Sequence, residues 1–164
     1  MIEETSASRI TLGIQGVVLA RGRWGLAHQQ ADGDRFTIGV TEAIMWATAV
    51  DEMCWKHAPY LAYRADSQGG RYLDGLRWAR NQGVHRCIAA HSTELGHGYP
   101  VRSREPDQFE ARWLPRSELP PEEKVIQRNQ KAYDAHVAGE DVRISLYAME
   151  DFLTREGFAE ALAG

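Results

Sequence analysis

The sequence predicts a mainly α-helical fold, a four- to five-helix bundle with a short β-hairpin or ordered excursion between the second long helix and the later helices. Three observations carry this reading. Apolar residues recur at three- and four-residue steps over several segments, the period of a helix with one buried face. Turn-forming runs, Ala31-Asp32-Gly33-Asp34 and Asp66-Ser67-Gln68-Gly69-Gly70, separate those segments. Between residues 93 and 121, Gly96, Gly98, Pro100, Pro106, Pro115, Pro120 and Pro121 forbid any long helix. With 164 residues the chain is long enough for one hydrophobic core and too short for two ordinary domains, so residues 1–164 are read as a single helical domain.

The first element, from Ser8 to about Gln29, carries two patterns. Ile10, Ile14, Val17 and Val18 fit a helical stripe, whereas Ile10, Leu12 and Ile14 alternate as in a strand. Gly13, Gly16, Gly22 and Gly25 weaken the helix, but an isolated strand would lack a partner, and helix is the reading adopted. From Thr37 to about His57, the positions Val40, Ala43, Ala47, Val50 and Cys54 form a core stripe. Glu42, Asp51 and Glu52 are expected on the wetter side, with Pro59 just past the end. A second long helix is expected from Arg71 to about Ser92, its stripe made of Leu73, Leu76, Val84, Cys87 and Ile88.

In the proline- and glycine-rich stretch, two extended pieces, Tyr99 to Arg102 and Phe109 to Leu114, flank the turn-like Glu105-Pro106-Asp107. Pro121 followed by Glu122 and Glu123 suits a helix start, with proline in the first turn and acids at the positive end of the dipole. That helix carries Ile126, Tyr133 and Val137 to Gly139. The last follows Asp141, presents Val142, Leu146, Met149, Phe152 and Leu153, and stops near Gly157.

Hydrophobic residues at 43 % and charged residues at 26 % exclude disorder as the default. The longest apolar stretches, Val17 to Ala20 and Ala43 to Val50, are far shorter than the ~20 residues of a membrane span. The opening MIEETSASR lacks the basic start and apolar run of a secretory signal. Cys54 and Cys87 are too few for a disulfide scaffold or a four-cysteine zinc site. A cytoplasmic protein with no membrane partner is expected, with both cysteines reduced inside apolar stripes.

The net charge of −4 is unevenly spread. Residues 54–104 carry eight basic and three acidic side chains, while residues 1–53 and 105–164 are net acidic. A positive middle is either a phosphate-facing surface or a segment that pairs with its acidic neighbours. The basic side chains are sixteen Arg against three Lys, and Arg suits bidentate contact with phosphate.

The basic block contains Arg77-Trp78-Ala79-Arg80-Asn81-Gln82-Gly83-Val84-His85-Arg86. At 100° per residue, Arg80 falls between Leu73 and Val84 inside the apolar stripe, where it must find a buried partner or border a cleft. Asn81 and His85, four apart, share a face with Trp78 beside them. Arg-x-x-x-x-His occurs three times, at Arg23 to His28, Arg80 to His85 and Arg86 to His91. Only the second has Asn, Asp or His directly after the arginine.

Arg80-Asn81-Gln82-Gly83-Val84-His85 resembles the Arg-(Asn/Asp/His)-x-x-x-His signature of the HEPN superfamily, over this motif and a compatible all-helical chain. The resemblance implies a metal-independent ribonuclease that acts as a homodimer, with the motif of each subunit meeting in one cleft. His85 would move a proton to or from the ribose 2′-hydroxyl or the leaving oxygen, Arg80 would stabilise charge on the phosphate, and Asn81 would orient either. Arg77 and Arg86 would contact substrate. The implied partner is RNA, and no cofactor or metal is required. On a regular helix, however, residues five apart point about 140° from one another.

The alternative is a non-enzymatic helical interaction protein, a partner in a toxin–antitoxin, phage or mobile-element system. Arg80 would then pair with Glu42, Asp51 or Glu52 of the preceding helix, and His85 would be a surface or core-edge side chain. His85, His91, His97 and Glu94 form a conceivable metal set, but no two histidines lie three or four apart. Gly69-Gly70 and Gly96-His97-Gly98 lack the flanking strand and Lys-Ser/Thr of a phosphate loop. Trp46, Trp55, Trp78 and Trp113 are expected in the core or at its edge; Trp24, beside Arg21 and Arg23, is open.

Overall fold

The structure, a computed structural model, describes residues 4–92, 109–120 and 126–163. It is mainly helical with one small antiparallel sheet, as the periodicity predicts. The helices are α1 (Glu4–Gln29), α2 (Gly33–Cys54), α3 (Ala58–Asp66), α4 (Gln68–Gln82), α5 (Val84–Cys87), α6 (Gln127–His136), α7 (Val142–Thr154) and α8 (Glu156–Ala163). The strands are β1 (Ile88–Ser92) and β2 (Phe109–Trp113).

The ambiguous first segment is helical throughout, and its glycines explain how. A methyl group on Gly13 or Gly16 would overlap Val50 or Trp46 of α2, so these positions let the two helices approach closely. Helix α2 starts earlier than expected, because the Asp32 carboxylate accepts the Arg35 amide at 3.0 Å and caps it. Its buried side, with Phe36, Val40, Ile44, Ala47 and Val50, supplies the centre of the core.

Between α2 and the next long helix the structure differs from the expectation. Pro59, read as a stop, sits in the first turn of α3, where its missing amide hydrogen costs nothing. The expected break at residues 66–70 shrinks to Ser67, whose hydroxyl accepts the Gly70 amide at 3.0 Å and caps α4, so Gly69 and Gly70 lie inside the helix.

The second long helix does not reach Ser92. It ends at Gln82, because Gly83 adopts φ +88°, a left-handed conformation that glycine tolerates and that ends a helix. After the short α5, residues 88–92 become a strand, not helix. Phe109–Trp113 is extended as expected, but its partner is β1, with Ile88 opposite Trp113 and Ser92 opposite Phe109. The anticipated strand at 99–102 lies outside the described residues, as does the helix start at 121–125.

Strand β2 is also tied to the far side: the Trp113 amide donates to the Glu140 carbonyl at 3.0 Å, and the Gly139 amide to the Trp113 carbonyl at 2.8 Å. Of the α6 stripe, Tyr133 and Val137 are buried but Ile126 is exposed. Asp141 caps α7, which stops at Thr154, and a further helix, α8, follows. Cys54 and Cys87 are buried and are not joined in a disulfide, and burial together with the Asp51 charge pushes the Cys54 thiol up to about 12. Trp24, Trp78 and Trp113 are buried, whereas Trp46 and Trp55 sit at the edge of the core.

Candidate functional site

Arg80 occupies the last turn of α4, on the side that faces α2, and is partly buried. Its guanidinium donates to Thr48 Oγ1 at 2.9 Å and to Glu52 Oε1 at 3.1 Å, so one of the three named carboxylates does pair with it. Asn81 is exposed and accepts from Arg80 at 3.4 Å. Trp78 is not beside Asn81 on an outer face; it is buried against Tyr133 with ring centroids 4.3 Å apart.

His85 does not share a helical face with Asn81, because the break at Gly83 separates them. The chain turns instead. A Cβ placed on Gly83 would lie 3.1 Å from His85 Cε1, so the imidazole lies against Gly83, the residue that caps α4. It is exposed, as is Arg86. The 140° separation of a continuous helix therefore does not apply to Arg80 and His85. No hydrogen bond joins the two among the described residues.

Arg77 belongs to a deeper arrangement that the sequence reading missed. Asp51, expected on the wet side of α2, is fully buried and accepts from Tyr60 Oη at 2.5 Å, Arg64 Nε at 2.7 Å and Arg77 Nη2 at 2.5 Å. Arg64 also forks onto Asp74 at 2.7 and 3.3 Å, and Arg128 reaches Asp74 from α6 at 3.1 Å. Burial disfavours the Arg64 charge, but its bonds to Asp74 and the charges of both carboxylates outweigh that and raise its pKa. The guanidiniums of Arg64, Arg77 and Arg128 all lie 5.2–5.6 Å from the ring centroid of Trp55. One signal was available: Asp51 is seven residues after Ile44 and four after Ala47, which places it in the apolar stripe.

The other two Arg-x-x-x-x-His pairs form no site among the described side chains. Arg23 binds Glu42 at 2.6 Å, and His28 packs between Phe36 and Phe109, with centroids 6.0 and 5.2 Å away. The side chains of His91, Glu94 and His97 lie outside the described residues. Among the described residues no group of three His, Cys, Asp or Glu is placed to hold a metal ion. No helix there is long and apolar enough to cross a membrane. Comparison of the chain with protein-family models, curated proteins and solved structures finds no match.

Burial lowers the His28 pKa, and the nearby Arg143 charge lowers it further. The folded state thus binds this proton less readily than the unfolded chain, and the neutral ring's contribution to stability is present above the unfolded value of about 6.5 and lost as pH falls below it. Replacing His28 by Phe is expected to flatten the fall in denaturation midpoint between pH 7 and 5. Parallel curves for the two proteins would refute this assignment.

Proposed function

We propose that the protein acts on RNA as a HEPN-like helical protein that binds or cleaves it at the surface formed by Arg80, Asn81 and His85, with Arg86 beside them and Arg77 held behind by Asp51. The observation that carries this reading is the reversal at Gly83. It sets the exposed imidazole of His85 against Gly83, the residue that caps α4 directly after the turn that carries Arg80 and Asn81 in sequence. In strand cleavage the ribose 2′-hydroxyl attacks the neighbouring phosphorus and the 5′-oxygen leaves. His85 takes the hydroxyl proton or supplies one to the leaving oxygen, and Arg80 balances the charge that builds on the phosphate. A cytoplasmic location suits such a protein.

A homodimer belongs to this reading, and one surface supports it. Leu12, Leu19 and Leu26 recur every seven residues on α1, and Ile38 and Met45 do so on α2, joined by Trp46 and Met53; all seven are exposed. The Arg23–Glu42 bridge ties the stripes into one face, because Leu19 and Leu26 flank Arg23 while Ile38, Met45 and Trp46 flank Glu42. At roughly 200 Å² for each fully exposed large side chain, their exposure is on the order of 700 Å² per chain, close to the ~800 Å² each partner gives to a stable interface. The face runs to Met53, adjacent to the Glu52 that binds Arg80. Leu19→Glu is expected to convert a dimer into a monomer in sedimentation equilibrium. A monomeric parent protein at 100-fold the concentration of a micromolar complex, on the order of 100 μM, would remove the dimer from the reading.

The Arg80–Glu52 pair favours a second reading, an interaction protein in which this arginine is structural. The deciding experiment incubates the full chain with single-stranded RNA in excess chelator. Cleavage by the parent and its loss in His85→Ala and Arg80→Ala, both still folded, supports the nuclease; no cleavage by the parent overturns it.

A further inference from the structure

Next to the Arg80–Glu52 pair lies an open groove of about 500 Å³, lined by Glu52, Met53, Trp55, Lys56 and Arg77. Among its lining residues is Trp55, which is 38 % exposed although three guanidiniums lie over its ring. Those guanidiniums are themselves fixed by Asp51 and Asp74, so the indole is held in place before any ligand arrives.

The charge around the ring is one-sided. Arg64, Arg77, Arg80, Arg128 and Lys56 face Asp51, Asp74 and Glu52, a formal surplus of two positive charges. Arg64 and Arg77 are spent on internal bonds, but Lys56 is exposed with no ion pair among the described residues, and more than half of the Arg128 side chain is accessible. A partly exposed indole beside exposed cations matches the two halves of a nucleotide: the base has a π face to stack, and the phosphate carries the charge. An aliphatic ligand would leave the cations without a counter-charge, and a simple anion would leave the indole unused.

We infer that this groove is a nucleotide subsite for single-stranded RNA, in which a base stacks on Trp55 and the adjoining phosphate is met by Lys56, one step along the strand from Arg80 and His85. The inference rests on the RNA reading above and adds to it a substrate form, an unpaired strand, since a base inside a duplex offers no free face. The subsite binds and positions; it moves no proton.

The test uses the full chain carrying His85→Ala, so that binding is measured without cleavage, and a fluorescently labelled RNA hexamer, single-stranded or annealed to its complement. Single-stranded RNA is expected to bind more tightly than the duplex. Trp55→Ala is expected to weaken binding at least 5-fold, Trp55→Phe to restore most of it, and Lys56→Ala to reduce the slope of log affinity against log salt by about 0.7. Circular dichroism melts check that each variant is folded, and Lys56→Ala, an exposed position, remains informative if Trp55→Ala does not fold. RNA binding that is indifferent to both Trp55 and Lys56, or tighter for duplex, overturns the subsite while leaving the cleavage reading intact. Binding that depends on them in a protein that never cleaves RNA overturns the nuclease and keeps the subsite. No RNA binding at all overturns both.

Discussion

Arg64→Ala is expected to lower the free energy of unfolding by about 3–5 kcal/mol, the cost of leaving a buried charge without its partner. Arg64 is 4 % exposed and spans two buried carboxylates, so its removal strips Asp51 of one donor and Asp74 of two. Tyr60 and Arg77 still reach Asp51, and Arg128 still reaches Asp74, but none can move into the vacated space without breaking contacts of its own. Arg64→Lys is expected to recover little. A single ammonium cannot reproduce the fork that bonds Asp51 through Nε and Asp74 through the two terminal nitrogens. In a chain of this size the alanine change corresponds to a fall in melting temperature of roughly 10 °C or more. Chemical denaturation of the parent, Arg64→Ala and Arg64→Lys measures it, and a loss below about 1 kcal/mol for alanine would show the cluster to be no more than a surface network.

The same cluster links the core to the candidate site. Asp51 lies one residue before Glu52 on α2, and Arg77 lies one turn before Arg80 on α4. The inner pair, Arg77 with Asp51, thus sets the spacing of the two helices at which the outer pair, Arg80 with Glu52, meets. Destabilising the inner pair is expected to disturb the site even where the fold survives, and variants at Arg77 should be read with that in mind.

How far this arrangement was legible in the sequence depended on the length of each element. Helices α2 and α7 repeat their apolar period over several turns, so tertiary packing and local pattern agree, whereas α1 carries a helical and a strand pattern together. Helix α3 has nine residues with a proline in its first turn, and a proline is as compatible with a stop as with a first turn. The segment 84–92 was assigned to a helix because Val84, Cys87 and Ile88 have helical spacing, yet that spacing holds for only one short turn before pairing with Phe109–Trp113 claims the backbone. The run Ile88-Ala89-Ala90-His91-Ser92 lacks the apolar–polar alternation that Phe109–Trp113 shows, so its pairing left no period to read. The site was legible in parts: the Arg80 ion pair was among the named possibilities, whereas the role of Asp51 was hidden by reading a carboxylate as solvent-facing. A buried acid is recognisable only with its cations, and those come from α3, α4 and α6.

Arg80→Ala is expected to behave in the opposite way to Arg64→Ala, and this contrast separates a functional arginine from a structural one. The Arg80–Glu52 pair is half open to solvent on the glutamate side, and exposed pairs are worth about 1 kcal/mol or less, so stability should hardly change. If Arg80 carries transition-state charge, RNA cleavage should nevertheless fall by about 100-fold or more, in line with the loss of one electrostatic donor. His85→Ala should cost about 100- to 10,000-fold, the range for a proton-transferring group, again with the melting temperature nearly unchanged. Glu52→Gln completes the comparison: it frees Arg80 from its internal carboxylate, so the nuclease reading expects retained or increased RNA affinity, and a purely structural arginine expects only a small loss of stability. The measurement is single-turnover cleavage alongside thermal melting for the three variants. Activity that tracks melting temperature, without a separate fall for Arg80 and His85, would mean that the Arg80 pair holds the helices together and does no chemistry.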